Sequence, residues 1–253
     1  MNTRRRFLAC GGALLAAAEA HGADAAPTLV LVNAVYPPLV NPPGDASGEG
    51  ADIDIAREAL RRGGYTGRIE LQWVPWKRAL FMLERGLADF TTTINFSPDR
   101  DRFLRWSKAY RAGKQYYFYT RKGSGPRLRQ LSDLRGLRLA LSDGFIYPQA
   151  VLNAATGKPE LGRNVAGAVQ LVERGRADVV IATALAGAWE IHQLGLADRV
   201  ERQPLEHFNP EPTFMAFSTA SPRAAAGLAA LNAGLTSMLR DGSIGHIEKR
   251  YSR

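Results

Sequence analysis

Leu83-Glu84-Arg85-Gly86-Leu87-Ala88-Asp89-Phe90 and Val172-Glu173-Arg174-Gly175-Arg176-Ala177-Asp178-Val179 are two versions of one phrase. In each, an amphipathic run stops at a glycine, and Ala-Asp leads into apolar residues. Glycine takes the left-handed conformation that closes a helix at little steric cost. Each phrase therefore predicts a helix ending and a strand beginning. Convergent turn chemistry would give the same wording, so the match leaves open whether the halves are a true repeat. Two similar α/β lobes of ~100 residues each fit the length.

Working outward from the first copy, residues 28–33 are a short apolar run suited to a buried strand, broken by Tyr36-Pro37-Pro38. Residues 40–50 are rich in Pro, Gly and Asp and read as a loop. Asp52 or Asp54 can cap a helix to about residue 62, with Ile53, Ala56 and Leu60 on one face and Gly63-Gly64 as its stop. Residues 69–74 read as a strand. Pro75 opens a helix whose stripe is Ala79, Leu80, Leu83 and Leu87, and residues 88–94 return as a strand. Strand, helix, strand, helix, strand is the order of an α/β domain.

Around the second copy the series repeats. Residues 115–122 form an aromatic strand and 123–126 a loop. Residues 139–141 start the second α/β set, followed by a helix at 164–174, a strand at 178–182 and a helix near 185–194. In the tail, Leu228, Leu231, Leu235, Met238 and Leu239 share a helical face. Asp241-Gly242 turns, and Ile244, Ile247 and Tyr251 form a second short stripe.

The 253 residues include 33 Lys+Arg and 24 Asp+Glu, a formal charge of +9, with 45% hydrophobic and 23% charged residues. This is a globular composition. Arg4, Arg5 and Arg6 precede an apolar run at residues 7–18, and Ala23-Asp24-Ala25 is a small-x-small cleavage site, the pattern of an export signal. The run is too short to span a bilayer. Thr3 to Leu8 also fits the twin-arginine form, and ordinary secretion stays open beside it. Cleavage near Ala25 removes three arginines and two acids and leaves +8. It also removes Cys10, the one cysteine, whose reading as a lipoprotein cysteine is disfavoured by its place ahead of most of the apolar run. The exported product is expected in the periplasm, without disulfide or thiolate metal site. The basic excess reads as a solvated surface, with an anionic ligand or an acidic membrane surface as the other readings. Scattered Lys and Arg without interleaved aromatics argue against nucleic acid.

The motifs of common enzymes are absent: no phosphate-binding loop, no His-Glu-x-x-His and no Gly-x-Ser-x-Gly. The four histidines lie far apart, and His207, near an expected crossing between lobes, is the one placed to matter. No cofactor is implied. An exported two-lobed α/β chain without a catalytic constellation points to ligand capture between lobes.

The chain resembles the family 3 periplasmic solute-binding proteins of ABC transporters, the group that includes the polar amino-acid binders. The resemblance rests on Tyr36-Pro37-Pro38-Leu39, Gly50-Ala51-Asp52-Ile53-Asp54-Ile55-Ala56, Trp76-Lys77-Arg78-Ala79 running to Gly86-Leu87-Ala88-Asp89, Ser97-Pro98-Asp99-Arg100 with Trp106-Ser107, and Leu239-Arg240-Asp241-Gly242-Ser243-Ile244. It implies a two-lobed type 2 periplasmic binding protein fold. Residues 26–112 and 212–253 would form lobe one and 113–211 lobe two, after a signal peptide at 1–25. Hinge segments would lie near 111–115 and 208–214. It implies a monomer that closes on a small ligand and presents it to an ABC permease.

The resemblance also assigns a site. Arg100 matches the family's carboxylate-binding arginine, with Ser97 where the family has Thr. A guanidinium grips a carboxylate through two parallel hydrogen bonds. Thr93 and Asn95 would add hydrogen bonds, and Tyr36 and Trp76 would pack on the ligand. Arg78, two residues after Trp76, points elsewhere on the helix. In lobe two the family has Gly and two hydroxyl residues at a helix start. Here Gly144 is followed by Phe145-Ile146-Tyr147, leaving backbone N–H groups and the Tyr147 tip. Thr183 stands where amino-acid binders carry the Asp that pairs the α-ammonium, and a buried ammonium without a carboxylate is costly. Asp143 or Glu211 could replace it. The implied ligand is a carboxylate, either an organic acid or an amino-acid-like compound. Two alternatives share the scaffold: a periplasmic dehydratase, for which Glu173 and Glu190 are the carboxyl candidates, and a sensor serving a membrane signalling partner.

Overall fold

The computed structural model describes residues 27–251. The export signal, its cleavage site and Cys10 lie outside the described residues. The chain runs β1 (Leu29–Asn33), α1 (Ala51–Arg62), β2 (Ile69–Trp73), α2 (Trp76–Glu84), β3 (Phe90–Ile94), α3 (Pro98–Asp101) and β4 (Leu104–Trp106). It continues through β5 (Lys114–Arg121), β6 (Leu139–Ser142), α4 (Gln149–Ala154), β7 (Glu160–Gly162), α5 (Val165–Glu173), β8 (Val179–Thr183), α6 (Ala184–Gln193) and β9 (Val200–Asn209). It ends with β10 (Phe214–Ser218), α7 (Ala224–Asp241) and α8 (Ser243–Tyr251).

Two five-stranded sheets result, ordered β2-β1-β3-β10-β4 and β7-β6-β8-β5-β9. In the first, β1 pairs in parallel with β2 and β3, which crossover connections through α1 and α2 allow. Late in the chain, β10 inserts antiparallel between β3 and β4. The second sheet has a parallel β7-β6-β8 core, with β5 antiparallel to both β8 and β9. The architecture is the mixed α/β, two-lobed one the sequence implied.

The repeated phrase does the same structural work twice. Gly86 and Gly175 sit at φ 68° and 70°, closing α2 and α5. The Asp three residues on then clamps the neighbouring parallel strand with two bonds. Val30 N–H donates to Asp89 Oδ2 at 2.7 Å while Asp89 N–H donates back to the Val30 carbonyl at 2.8 Å. Arg138 N–H donates to Asp178 Oδ2 at 2.8 Å, and Asp178 N–H returns to the Arg138 carbonyl at 2.9 Å. An arginine neutralises each carboxylate, Arg223 for Asp89 and Arg138 for Asp178.

The chain's end is locked to its beginning by backbone contact between α1 and α7. A Cβ on Gly234 would lie 1.8 Å from the Ala59 carbonyl oxygen, and one on Gly63 would lie 1.9 Å from that of Ala230. Only glycine permits that approach. Leu231, Leu235 and Met238 then reach the core, where Phe90 and Phe217 stack at 4.8 Å. Two stripe assignments fail. Leu87 is 57% exposed because α2 has already ended at Glu84, and Leu239 is 48% exposed on the outer side of α7. Gly50 occupies the N-cap of α1 without a side-chain bond, so neither Asp52 nor Asp54 caps it. Asp52 is instead fully buried and paired with Arg111, while Asp54 accepts from Tyr251 at 2.8 Å. The segments crossing between the sheets pair with each other, through an antiparallel bridge between Arg111 and Thr213.

Candidate ligand-binding site

A cavity opens between the sheets at the carboxyl ends of β1, β3 and β8, where ligands of α/β proteins usually bind. Its lining includes Tyr36, Trp76, Thr93, Asn95, Arg100, Lys114, Tyr116, Phe145, Tyr147 and Thr183, around ≈ 600 Å³ of atom-free space partly open to solvent. Eight of the nine residues expected at the site line it directly. The ninth, Gly144, does not line it; its carbonyl bonds two residues that do, Arg100 and Trp76.

Arg100 is 8% exposed at the end of the short α3, which Ser97 and Pro98 start. Its Nη1 donates to the Asn95 carbonyl at 3.2 Å and its Nη2 to the Gly144 carbonyl at 3.0 Å. Its Cζ lies 5.6 Å from the Trp76 ring centroid. Neither Asp99 nor Asp101 pairs with it; Asp101 takes the Trp106 indole N–H at 2.8 Å. Burial pulls the guanidinium down to about 10. A buried cation without a carboxylate partner is costly, and an anion entering the cavity would relieve that cost. Arg78 points away, its Cζ lying 5.1 Å from the Phe81 ring.

Tyr36, Trp76 and Phe145 make an aromatic wall. Phe145 meets Tyr36 edge-on at 5.6 Å and Trp76 at 6.1 Å. The Tyr36 hydroxyl bonds the Thr183 hydroxyl across the cleft, and burial raises the Tyr36 phenol well above its ordinary range. Behind that pair lies a second cavity, which shares Tyr36, Lys114 and Thr183 with the first and reaches Arg111 and Glu248.

Thr93 and Asn95 line the cavity with part of their bonding capacity already used. Thr93 sits at φ 59°, a strained position for a β-branched residue. Its hydroxyl donates to Asp52, and its N–H donates to the Tyr110 hydroxyl at 3.2 Å. Asn95 donates to the Pro212 carbonyl at 3.2 Å and accepts from Lys114 Nζ at 2.7 Å.

The lobe-two side departs from the expected helix start. Gly144 lies in a turn at φ 76°, and α4 begins only at Gln149. Pro148 is the reason, because a proline disfavours helical geometry in the residue before it. Gly144 therefore presents a carbonyl rather than N–H groups, and that oxygen also accepts from Trp76 Nε1 at 3.1 Å. The Tyr147 hydroxyl accepts from Ser142 N–H at 2.7 Å. Asp143 is held by Lys77 at 2.7 Å, and Glu211 is exposed beside Asn209; neither lines the cavity. His207 sits on β9 opposite Tyr116, also outside the lining. Glu173 pairs with Arg199, and Glu190 is buried on α6 away from the cleft. Among the described residues, no Asp or Glu side chain lines this cavity.

Sequence reasoning missed Lys114 and Tyr116. They alternate along β5 onto one face, a period-two signal that the aromatic composition of the strand concealed. Among the described residues there is no cluster of His, Cys, Asp or Glu fit to hold a metal, and no helix is long and apolar enough to cross a membrane.

The sequence pattern of the bacterial extracellular solute-binding proteins, family 3, matches residues 29–253. No curated protein sequence is significantly similar. Among solved structures, an ancestral arginine-binding protein bound to arginine is similar at TM-score 0.72 and 24% identity, covering 89% of this chain and 98% of that one. A histidine kinase sensor domain with similarity to periplasmic binding proteins reaches 0.73 at 22% identity, covering 90% and 97%. The ancestral amino acid-binding protein AncCDT-1, a precursor of cyclohexadienyl dehydratase, reaches 0.70 at 22%, covering 89% and 95%.

Proposed function

The chain belongs to the family 3 bacterial extracellular solute-binding proteins, and on that premise we propose that it is a periplasmic protein that captures a small carboxylate between its lobes and delivers it to an ABC permease. The observation that carries this reading is Arg100: buried, aimed into a cavity, and without an acidic partner among the described residues. An incoming carboxylate replaces the single Gly144 carbonyl with a bidentate, charge-assisted partner. Tyr36, Trp76 and Phe145 supply apolar walls, and Thr93, Asn95 and Thr183 supply neutral polar groups. The lobes divide at residues 26–112 with 212–253 and at 113–211, a division supported by the membership of the two sheets. Residues 1–25 direct export and are removed. The protein acts as a monomer, without cofactor or nucleic acid.

The absence of a carboxyl group in the cavity lining favours capture over a dehydratase, which needs a positioned acid. Delivery to a permease and signalling to a membrane sensor use the same cleft, so the cleft chemistry holds for both. Calorimetric titration of the purified protein with organic acids and amino acids tests the reading. Arg100→Ala is expected to weaken carboxylate binding by ~30-fold or more. Full affinity in that variant would remove the assignment.

A further inference from the structure

Arg100 is not the only cation facing the cleft. Lys114, the first residue of β5, stands where one crossing segment enters lobe two, and it lines both the main cavity and the one behind the Tyr36–Thr183 pair. Asn95 bridges the two cations: its carbonyl accepts from Arg100 and its side-chain Oδ1 from Lys114. They therefore lie no farther apart than one asparagine can span.

Nearby carboxylates do not neutralise Lys114. The Oδ1 of Asp52 is taken by Arg111, and its Oδ2 by the hydroxyls of Thr93 and Tyr110. Glu211 acts on Lys114 only from a distance. Neither forms an ion pair with the ammonium, which bonds the neutral Asn95 amide; Glu248 lines the rear cavity with Lys114 and is paired with Arg111. Burial, with Arg100 and Arg111 as neighbours, pulls Lys114 down to about 8.

We infer that Lys114 is a second anion-binding residue and that the ligand is a small dicarboxylate without a cationic amine. This rests on the reading of Arg100 as the first carboxylate site. Charge balance carries the argument. One carboxylate uses both oxygens on the Arg100 fork and leaves Lys114 without a direct carboxylate partner in the cavity they both line. An α-amino acid adds a third positive charge where, among the described residues, no acidic side chain lines the main cavity. A dianion with one group on Arg100 and the other on Lys114 gives each cation of the main cavity its own carboxylate, with its carbon body between Tyr36, Trp76 and Phe145. Thr183, in place of an ammonium-pairing acid, fits that chemistry, since a hydroxyl binds a carboxylate oxygen without repulsion.

The test is calorimetry at pH 7 on the full exported chain, using straight-chain dicarboxylates from malonate to suberate and terephthalate. Comparison ligands are the monocarboxylates of equal length, arginine and glutamine. The expected result is a dicarboxylate that binds about tenfold or more tightly than its monocarboxylate partner. Lys114→Met should erase that preference and Lys114→Arg should keep it. Thermal unfolding of Lys114→Met, together with its retained monocarboxylate affinity, checks that the variant is folded. A monocarboxylate or amino acid that binds as tightly as any dicarboxylate, lost in Arg100→Ala but unchanged in Lys114→Met, would overturn the second site and leave carboxylate capture standing. No binding of any carboxylate would overturn both.

Discussion

Arg100 Nη2 donates to the Gly144 carbonyl oxygen at 3.0 Å, across the cleft between the two sheets. Trp76 Nε1 converges on the same oxygen at 3.1 Å. One backbone carbonyl of lobe two thus gathers two lobe-one donors, and both belong to residues that line the cavity. Gly144 is fitted to that place twice over. Its φ of 76° suits glycine, and a Cβ would meet Lys77 Cγ at 3.2 Å and Trp76 Cδ1 at 3.3 Å. Gly144→Ala should cost about 1–2 kcal/mol of stability for the left-handed backbone. Ligand affinity should fall as well, because the Cβ contacts with lobe one exist only when the lobes are together. Thermal unfolding and calorimetry read the two effects separately. Unchanged affinity would mean that Gly144 does not form part of the closed contact.

The Lys77–Asp143 ion pair also spans the cleft, at 2.7 Å, with side chains 66% and 32% exposed. Exposed pairs of this kind contribute little and are screened by salt. Lys77→Ala should therefore change ligand affinity less than about fivefold, and raised salt should abolish even that difference. A larger, salt-insensitive loss would make the pair a latch rather than a surface contact.

These contrasts show what the sequence carried. The turn glycines Gly86 and Gly175 and the clamping acids Asp89 and Asp178 were legible, because their chemistry is local and falls in one short phrase. Arg100 was legible only through a family resemblance, since nothing in Ser-Pro-Asp-Arg says that both flanking acids turn away. Lys114 was hidden. Its role depends on Asn95, Arg100 and Asp52, which the fold brings in from distant positions. Gly144 was found for the wrong reason: Pro148 delays the helix, so it acts through its carbonyl. Leu87 and Leu239 follow helical spacing but lie past a helix end or on an outer face, which periodicity cannot distinguish.

Asp52 is fully buried on α1 and bonds three residues: Arg111 from the crossing segment, Tyr110 beside it, and Thr93 at the end of β3. Asp52→Asn leaves Arg111 with Glu248 as its carboxylate partner, beside the Tyr110 hydroxyl. Breaking a buried pair typically costs about 3–5 kcal/mol, reduced here by that remaining partner. A Tm lowered by roughly 5–10 °C is expected, observable by calorimetric unfolding. A shift under about 2 °C would show that the pair contributes little beyond its own desolvation.

Glu190 is 7% exposed on α6, and burial alone pushes its carboxyl up from 4.5 to about 7. Between those values the native state holds a proton that the unfolded chain has released. The group's contribution is therefore neutral below about pH 4.5, becomes increasingly destabilising up to about pH 7 and stays at that level above it. At pH 8 its removal should raise stability by up to roughly 3 kcal/mol. Urea unfolding of Glu190→Gln against the parent, at pH 5 and pH 8, should show a gain only at the higher pH. An equal effect at both would mean that the carboxyl is not titrating in this window.

Lys114 titrates with the opposite sign. The groups facing it are Asn95 from lobe one, Asp52 and Arg111 beside the crossing, Arg100 across the cavity, Glu211 on the return segment and Glu248 of α8 in the rear cavity. Its ammonium is lowered from 10.5 to about 8, so between those values the unfolded chain binds a proton that the native ligand-free state has lost. Lys114 therefore lowers ligand-free stability below pH 8, and that cost fades as pH rises toward 10.5. Ligand binding runs the other way, because only the ammonium attracts the second carboxylate. Dicarboxylate affinity should hold from pH 6 to about 7.5 and then fall, approaching tenfold per pH unit above 8. Binding above pH 8 should take up a proton, visible as a buffer-dependent enthalpy. Lys114→Arg should keep its affinity through pH 9, since a guanidinium stays charged there. If parent and Lys114→Arg show the same pH profile, the titrating group is not Lys114.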